Sequence, residues 1–325
     1  MRSLCATAIV AIGLAFSEVP SAGAADSYPA RPIKIVVNTA PGGYTDLMAR
    51  MAGQYMSEYL KQPVVVENRA GGDGMIAVRY VKSTPADGYT LLVATGTAAQ
   101  QMAIRQDPGY DLVKDFVGIG IISRSPYLME VGQGSPDKSA KDFVARAKAK
   151  PNELSYASAG VGTVSHFAAA RYLQQVGAQV RHIPYKGNAP ALPDVMTGRV
   201  DMIFDTLNSS IGQIQAGQFR VLGVSSATRV PAMPDVPTLA EQGAPGFSYY
   251  TYAAIFAPAA TPRNVVTRLG QALQYVRNQD AVKERFRKEG MEAVDMSPEQ
   301  FTQFTAREVA DSQKLVADLH LEKMP

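Results

Sequence analysis

The sequence has little of what many catalytic and metal sites are built from. Its 325 residues include one cysteine, three histidines and no tryptophan. The cysteine, Cys5, lies in a segment that we predict to be removed, so the mature chain would have neither a disulfide nor a thiolate metal site. There is no HExxH motif and no dense cluster of His and Asp, and we therefore predict no metal and no cofactor.

Charge of one sign and long apolar runs are also scarce. The formal net charge is only +3 and no long Lys/Arg run occurs, which argues against a nucleic-acid partner. Hydrophobic residues make up 46% and charged residues 19%, a composition typical of a globular protein. No segment beyond the N-terminal region is apolar enough to cross a bilayer, so we expect a soluble mature chain.

The N-terminus has the three parts of a secretory leader. Met1 and Arg2 give a positive start, residues 4–16 are apolar but too short to span a membrane, and small residues at 21–25 form a cleavage site. We predict a signal peptide over residues 1–24 with cleavage after Ala24 or Ala25. The mature protein would lie in the periplasm, where a chain of this size needs no disulfides.

Short apolar strands alternate with helical patterns along the rest of the chain. Strands at residues 33–37, 64–66 and 89–94 each lead towards a helix, which predicts βαβ units and mostly parallel sheets. The stretch 95–115 is polar with turn signals at 107–109, and we predict no helix or strand there. Because 325 residues exceed what one core usually organises, two domains are expected.

The predicted fold is therefore α/β with two lobes, each a mostly parallel sheet flanked by helices, and two hinge crossovers. Lobe 1 would comprise residues 25–123 plus 250–325, and lobe 2 residues 124–249. The crossovers are expected near residues 122–128 and 246–252.

A strand, a glycine turn and a helix start follow one another once in each half of the chain. Residues 33–37 run into a first loop, residues 40–46 (APGGYTD), and residues 154–157 run into a second loop, residues 158–163 (SAGVGT). Such a turn leaves main-chain N–H groups pointing outwards at the positive end of a helix dipole. The two loops together predict a two-sided clamp on a small carboxylate or a similar anion.

The residues of the clamp can be named from these patterns. Asp46 is expected to cap its own helix with its carboxylate turned away from the ligand. The hydroxyl groups of Ser158 and Thr163 could donate to the ligand or simply cap the helix. The predicted ligand contacts of the two loops are Thr39, Ala40, Gly43, Tyr44, Thr45, Ser158, Ala159, Gly162 and Thr163.

Three further residues are predicted ligand contacts, each with a structural alternative. His166 could donate to the ligand or be a packed histidine bonded to a nearby carbonyl. Tyr185 could face the cleft, whereas Lys186 beside it is expected to be a solvated charge. Asp205 ends a strand, where α/β ligand sites open, and it could accept from a ligand or cap the next helix. His182 is expected to be structural.

Rival functions from other classes can be weighed against the clamp. Ser158, His166 and Asp205 could form a nucleophile set, although no G-x-S-x-G elbow accompanies them, so a secreted hydrolase of carboxylate esters is the alternative function. The second loop lacks both the third glycine of a dinucleotide loop and the lysine of a P-loop. A small-molecule-sensing regulator domain is disfavoured by the leader and by the absence of a DNA-reading helix pair.

An ordered set of short motifs covers nearly the whole mature chain. These motifs are Tyr28-Pro-x-Arg-Pro-Ile33, Pro41-Gly-Gly-x-Thr-Asp46, Val64-Val-Val-Glu-Asn-Arg69, Pro85-x-Asp-Gly-Tyr-Thr-Leu-Leu92, Tyr156-Ala-Ser-x-Gly-x-Gly-Thr163, His182-x-Pro-Tyr-Lys-Gly187, Phe204-Asp205 and Pro234-Asp-Val-Pro-Thr238. The set resembles the substrate-binding proteins of tripartite tricarboxylate transporters, the Bug or TctC family.

The resemblance implies a periplasmic-binding-protein fold and a role in transport rather than catalysis. Such a receptor closes on a carboxylate, held largely by main-chain groups and ordered waters of two facing loops, and hands it to an inner-membrane permease. We expect a monomer that contacts the permease transiently.

The chain also departs from the family pattern. Asn38-Thr39 replaces a usual Pro-Phe, Tyr44 stands where a small residue is more usual, and Met102-Ala103-Ile104 replaces an Asn-Pro segment with Leu-Tyr. The resemblance therefore does not identify the acid. Tyr44, Tyr127 and Tyr185 could offer a stacking surface to an aromatic ligand.

Overall fold

The computed structural model describes residues 28–325, so the predicted leader and its cleavage site lie outside the described residues. The strands are β1 (Ile33–Val37), β2 (Val64–Asn68), β3 (Thr90–Ala94), β4 (Phe116–Gly132), β5 (Ser155–Ser158), β6 (Arg181–Pro184), β7 (Met202–Thr206), β8 (Phe219–Val224) and β9 (Tyr250–Pro258). The helices are α1 (Tyr44–Leu60), α2 (Met75–Lys82), α3 (Thr97–Ile104), α4 (Ala140–Ala149), α5 (Val164–Val176), α6 (Leu192–Met196), α7 (Leu207–Gln215), α8 (Arg263–Asn278), α9 (Asp280–Lys288) and α10 (Pro298–Asp318).

All nine strands belong to one sheet, in the order β2-β1-β3-β9-β4-β7-β5-β6 with β8 paired to β4. The sheet has two halves: the first contains β1, β2, β3 and β9 with the helices packed on them, and the second contains β5, β6, β7 and β8 with theirs. In the first half β1 lies parallel to β2 and β3, and in the second half β5 lies parallel to β6 and β7. The predicted parallel βαβ units are therefore present in both halves. The long strands β4 and β9 lie between these units and run antiparallel to their neighbours.

Strand β4 connects the two halves of the sheet. Up to Pro126, which lies opposite Tyr250, it pairs with β9. From Tyr127 onwards it pairs with β7, and β8 takes the place of β9 on its other edge. This change of partners falls within the segment where we predict the first crossover, and β9 begins within the second.

Helices cover both faces of each half, which explains why the strands are apolar with little alternation. In β1 every residue except Lys34 is buried, as expected for a strand covered on both sides. Helices α1, α8 and α9 share one core with the first half, and α2, α3 and α10 share another. A further cluster joins the two halves, because Phe167 of α5 packs with Ile104 of α3 and Leu315 of α10.

Helix α3 forms where we predict none, and α7 is the helix after Asp205, whose extent no sequence pattern predicts. Helix α3 lies in the polar stretch 95–115, and its glutamines Gln100 and Gln101 are fully enclosed, so its sequence shows no amphipathic stripe. Helix α7 contains Asn, Ser and Gly, which are poor helix formers. Its first turn is held by Asp205, which accepts from the Thr206 N–H at 2.8 Å and from the Ser209 hydroxyl at 2.7 Å.

Candidate functional site

The first loop leads directly into α1, which begins at Tyr44 rather than at the predicted residue 47. Gly42 has φ +86°, a conformation that favours glycine, whereas Gly43 has φ −80°. The carboxylate of Asp46 accepts from the Gly42 N–H at 2.9 Å and from Asn68 at 2.8 Å. Burial opposes its ionisation, but Arg50 and these donors hold the pKa of Asp46 below its usual value. Asp46 therefore stabilises the loop before the helix, but it does not cap α1 as predicted, because its carboxylate accepts from the Gly42 N–H and from no N–H of the first helical turn.

The first turn of α1 keeps free main-chain donors. Within residues 28–325 the N–H groups of Gly43, Tyr44 and Thr45 have no hydrogen-bond acceptor. The Tyr44 side chain points into the protein, where its hydroxyl donates to the Ser123 carbonyl at 3.0 Å, so only its main chain is available. Ala40 is exposed, and the hydroxyl oxygen of Thr39 is buried without a partner in the described structure.

The second loop is tied together by its own side chains. The Ala159 N–H donates to Ser165 Oγ at 3.0 Å, and the Gly162 N–H donates to His166 Nδ1 at 3.1 Å. The Thr163 hydroxyl donates to the Gly160 carbonyl at 2.7 Å. Ser158 Oγ lies 2.6 Å from His182 Nε2. The donors predicted here are thus all engaged within the second half of the chain.

The free donors of the second half are one N–H group within the second loop and two in the first turn of α5. No acceptor is present in the described part of the chain for the N–H groups of Val161, Val164 and Ser165. Val164 and Ser165 are the first two residues of α5, as Tyr44 and Thr45 are of α1. Sequence reasoning missed them, although their position as the first two helical residues after a glycine turn was a usable signal.

A stack of three aromatic rings packs against the second loop. The His166 ring lies 4.1 Å from the His182 ring, which in turn lies 4.9 Å from Tyr156. Burial, and secondly the adjacent His182, lower the pKa of His166 to about 3, and burial lowers that of His182 to about 4. Both rings are therefore neutral at neutral pH. His166 is packed and accepts from Gly162; its contact with a ligand stays a prediction.

The other two predicted contacts are bonded to neighbours in the second half. The Tyr185 hydroxyl donates to Asp194 at 2.7 Å, and its N–H donates to the Ser158 carbonyl at 3.0 Å. Asp205 accepts from Asn188 at 2.7 Å in addition to capping α7, and burial raises its pKa. Whether Tyr185 and Asp205 also touch a ligand stays a prediction.

The second loop lies at the junction between the halves. Gln101 of α3 donates to the Gly162 carbonyl at 3.2 Å and to the Val161 carbonyl at 3.3 Å. A Cβ on Gly160 would lie 4.0 Å from Asp73 Oδ1, and Asp73 forms an ion pair with Arg105 at 2.7 Å. The first half therefore contacts the second loop directly.

The residues considered for a hydrolase are not assembled as a nucleophile set. Ser158 is fully buried and lies against His182 rather than His166. Asp205 makes no hydrogen bond to a histidine among the described residues. Over the same range, 28–325, no group of three or more His, Cys, Asp and Glu side chains could hold a metal ion, and no helix is long and apolar enough to cross a membrane.

Comparison with known proteins identifies the family. The model of the tripartite tricarboxylate transporter family receptor matches residues 48–321. The chain belongs to this family. Protein BugT of Bordetella pertussis is 32% identical over 304 residues, which cover 93% of each chain.

Two solved structures of similar proteins contain a carboxylate. Rpa4515 of R. palustris with adipate has a TM-score of 0.82 and 33% identity, covering 89% of this chain and 97% of that one. MatC of Rhodopseudomonas palustris with bound malate has a TM-score of 0.80 and 28% identity, covering 89% of this chain and 100% of that one. The predicted family and fold are thus confirmed, and the chain is a periplasmic solute-binding receptor of the Bug type.

Proposed function

We propose that this receptor closes on a small di- or tricarboxylate and delivers it to a tripartite tricarboxylate-type permease in the inner membrane. The observation that carries the proposal is the pair of helix starts with unpaired N–H groups, Tyr44 and Thr45 in one half and Val164 and Ser165 in the other. Four such donors match the acceptor capacity of one carboxylate group.

Main-chain donors are strong enough for this role. A hydrogen bond to a charged group contributes roughly 1.5–3 kcal/mol, so four would supply on the order of 6–12 kcal/mol before the cost of ordering the ligand. Micromolar affinity requires about 8 kcal/mol. Lys186 is exposed and lies outside both loops, so we assign it no part in holding the carboxylate.

Two observations support an aliphatic class of acid. Tyr44 and Tyr127, considered above as a stacking surface, are turned into the protein or buried. The similar proteins solved with a ligand hold adipate and malate, which are aliphatic. We therefore favour aliphatic dicarboxylates over aromatic acids.

We further propose that residues 25–123 plus 250–325 and residues 124–249 move as two lobes. The change of partners in β4 between Pro126 and Tyr127, and the start of β9 at Tyr250, support a hinge at these points. Hinge closure of this kind would bring the starts of α1 and α5 onto the same ligand.

A thermal-shift screen tests the ligand class. Adipate and malate at about one hundred times their Kd should add about 2.7 kcal/mol of stability, which corresponds to a rise in Tm of roughly 5 °C. Benzoate and neutral sugars at the same concentration are the controls. A rise with the sugars and none with any carboxylate would refute the proposed ligand class.

The ester assay separates the receptor from the hydrolase. Incubating the protein with monoethyl adipate should leave the ester intact. Steady release of ethanol that depends on Ser158 would support the hydrolase instead.

The leader also yields a test. We propose that export removes residues 1–24 or 1–25, so the mature chain begins at Ala25 or Asp26. Intact mass measurement on protein released from the periplasm should give one of these two starts. Retention of Met1 in that fraction would contradict the proposed cleavage.

A further inference from the structure

A cavity of about 270 Å³ lies at the hinge, away from the proposed ligand site. Ile121 of β4, Tyr252 of β9 and Glu308 of α10 form its walls on one side, and Phe167 and Arg171 of α5 on the other. No residue of the first or second loop lines it. Its volume therefore depends on how the two proposed lobes are placed.

Glu308 and Asp311 are the two acidic residues in the lining of this cavity. The Tyr252 hydroxyl donates to Glu308 Oε2, and a Cβ on Gly96 would lie only 2.5 Å from Glu308 Oε1. The carboxyl group is thus held between β9 and the residue that precedes α3. Burial, which outweighs the tyrosine hydrogen bond, raises the pKa of Glu308 to about 7.

The charged groups around Glu308 do not neutralise it. On α10 itself Asp311 adds to the rise in pKa, and Arg307 is exposed. Arg171 of α5 is likewise exposed on the rim. Within residues 28–325 none of the arginines forms an ion pair with Glu308.

In the described part of the chain, the other elements packed against Glu308 contribute no unpaired cation. Arg124 of β4 is engaged with Glu292 at 2.6 Å and stacks on Tyr250 of β9 at 4.2 Å. Helix α3 contributes Gln100, which donates to the Tyr249 hydroxyl at 3.1 Å. The carboxyl group of Glu308 therefore has a phenol as its close partner and no positive charge to hold it ionised.

We propose that Glu308 is a proton-binding site that couples closure of the receptor to pH. With α5 closed against α10 the carboxyl group is shielded from most water and keeps its proton, whereas separation of the lobes admits more water and releases it. The inference rests on the proposed closure around a carboxylate. Because the closed form binds the proton more tightly, protonation favours closure, and carboxylate affinity rises as the pH falls.

Calorimetry with adipate as the probe tests the coupling. From about pH 8.5 to about pH 6, one unit below the pKa of Glu308, wild-type affinity should rise about tenfold relative to Glu308→Gln. The amide introduced by Glu308→Gln keeps an acceptor for the Tyr252 hydroxyl but cannot titrate. Protonation of adipate itself affects both proteins and cancels in the ratio.

A matched control is Glu58→Gln, which changes an exposed glutamate on α1 and should behave as wild type. A constant ratio of wild-type to Glu308→Gln affinity would overturn the proposal.

Failure of the ligand class can be told apart from failure of the coupling. If adipate bound neither protein at any pH, the proposed ligand class would fail, and the titration of Glu308 would then be followed directly. In this structure Phe167 of α5 already packs against Leu315 of α10, so the raised pKa does not require a bound ligand. The ¹³C carboxyl resonance that disappears in Glu308→Gln should therefore titrate at least one unit above the ordinary glutamate value of about 4.3. An ordinary midpoint would overturn the inference.

Discussion

Replacing Gly162 with valine is expected to weaken carboxylate binding by about a hundredfold or more, or about 2.7 kcal/mol. Gly162 has φ +73°, a conformation that a β-branched residue tolerates poorly. A Cβ there would also lie 2.7 Å from Ile104 Cγ2 and 2.9 Å from Gln101 Nε2. The second loop must therefore shift and carry the start of α5 with it. Calorimetry with adipate, after the fold is checked by circular dichroism, gives the change in Kd.

Two matched variants separate main-chain geometry from charge. Gly134→Val introduces the same side chain at a position in the second half with nothing within 4 Å, and it should leave Kd unchanged. Lys186→Ala removes an exposed cation just after β6 and should change Kd less than about fivefold, because an exposed charge contributes about 1 kcal/mol or less. Loss of binding in Lys186→Ala with normal binding in Gly162→Val would replace the main-chain clamp by a charge-pair site.

Acid is expected to destabilise the fold through His166 and His182. Their folded pKa values, about 3 and about 4, lie below the usual value of 6.5. Between these values the two rings are protonated in the unfolded chain and neutral in the folded chain. The stability from the neutral rings is complete above about pH 6.5 and falls as the pH drops towards about 4. At about 1.4 kcal/mol per unit of pKa difference, the two rings together account for several kcal/mol.

Denaturant unfolding at a series of pH values measures this loss. The variant His166→Asn/His182→Asn is less stable at pH 7 but should lose markedly less free energy of unfolding between about pH 6.5 and about pH 4. The buried carboxyl groups of Glu130 and Asp205, whose pKa values burial raises, act in the opposite direction in both proteins and cancel in the comparison. Equal pH dependence of the wild type and the double variant would show that the two histidine rings do not cause the loss of stability in acid.

Elements whose sequence pattern is set by local rules were predicted well. The strand Ile33–Val37 matches its predicted bounds, because an apolar run is a local signal. Helix α3 was missed because α10 and α5 enclose it, so it has no solvent-exposed polar face that would give an amphipathic pattern. The antiparallel pairing of β4 with β9 joins residues more than a hundred positions apart, which no local pattern specifies.

The site shows the same division between local and long-range information. Both loops could be found from sequence, since a glycine turn before a helix start is a local motif. Which N–H groups remain free could not be found, because it depends on the rotamers of Ser165 and His166, which turn back onto their own loop. The contact between Ser158 and His182 joins residues 24 apart in the chain, so no local pattern predicts it either.

A crystal structure with bound adipate tests the central claim most directly. The account predicts one carboxylate group with its oxygens about 2.7–3.2 Å from the main-chain nitrogens of Tyr44 and Thr45 and from those of Val164 and Ser165. A carboxylate paired instead with the ammonium group of Lys186, or held by one loop with no contact to the other, would contradict it.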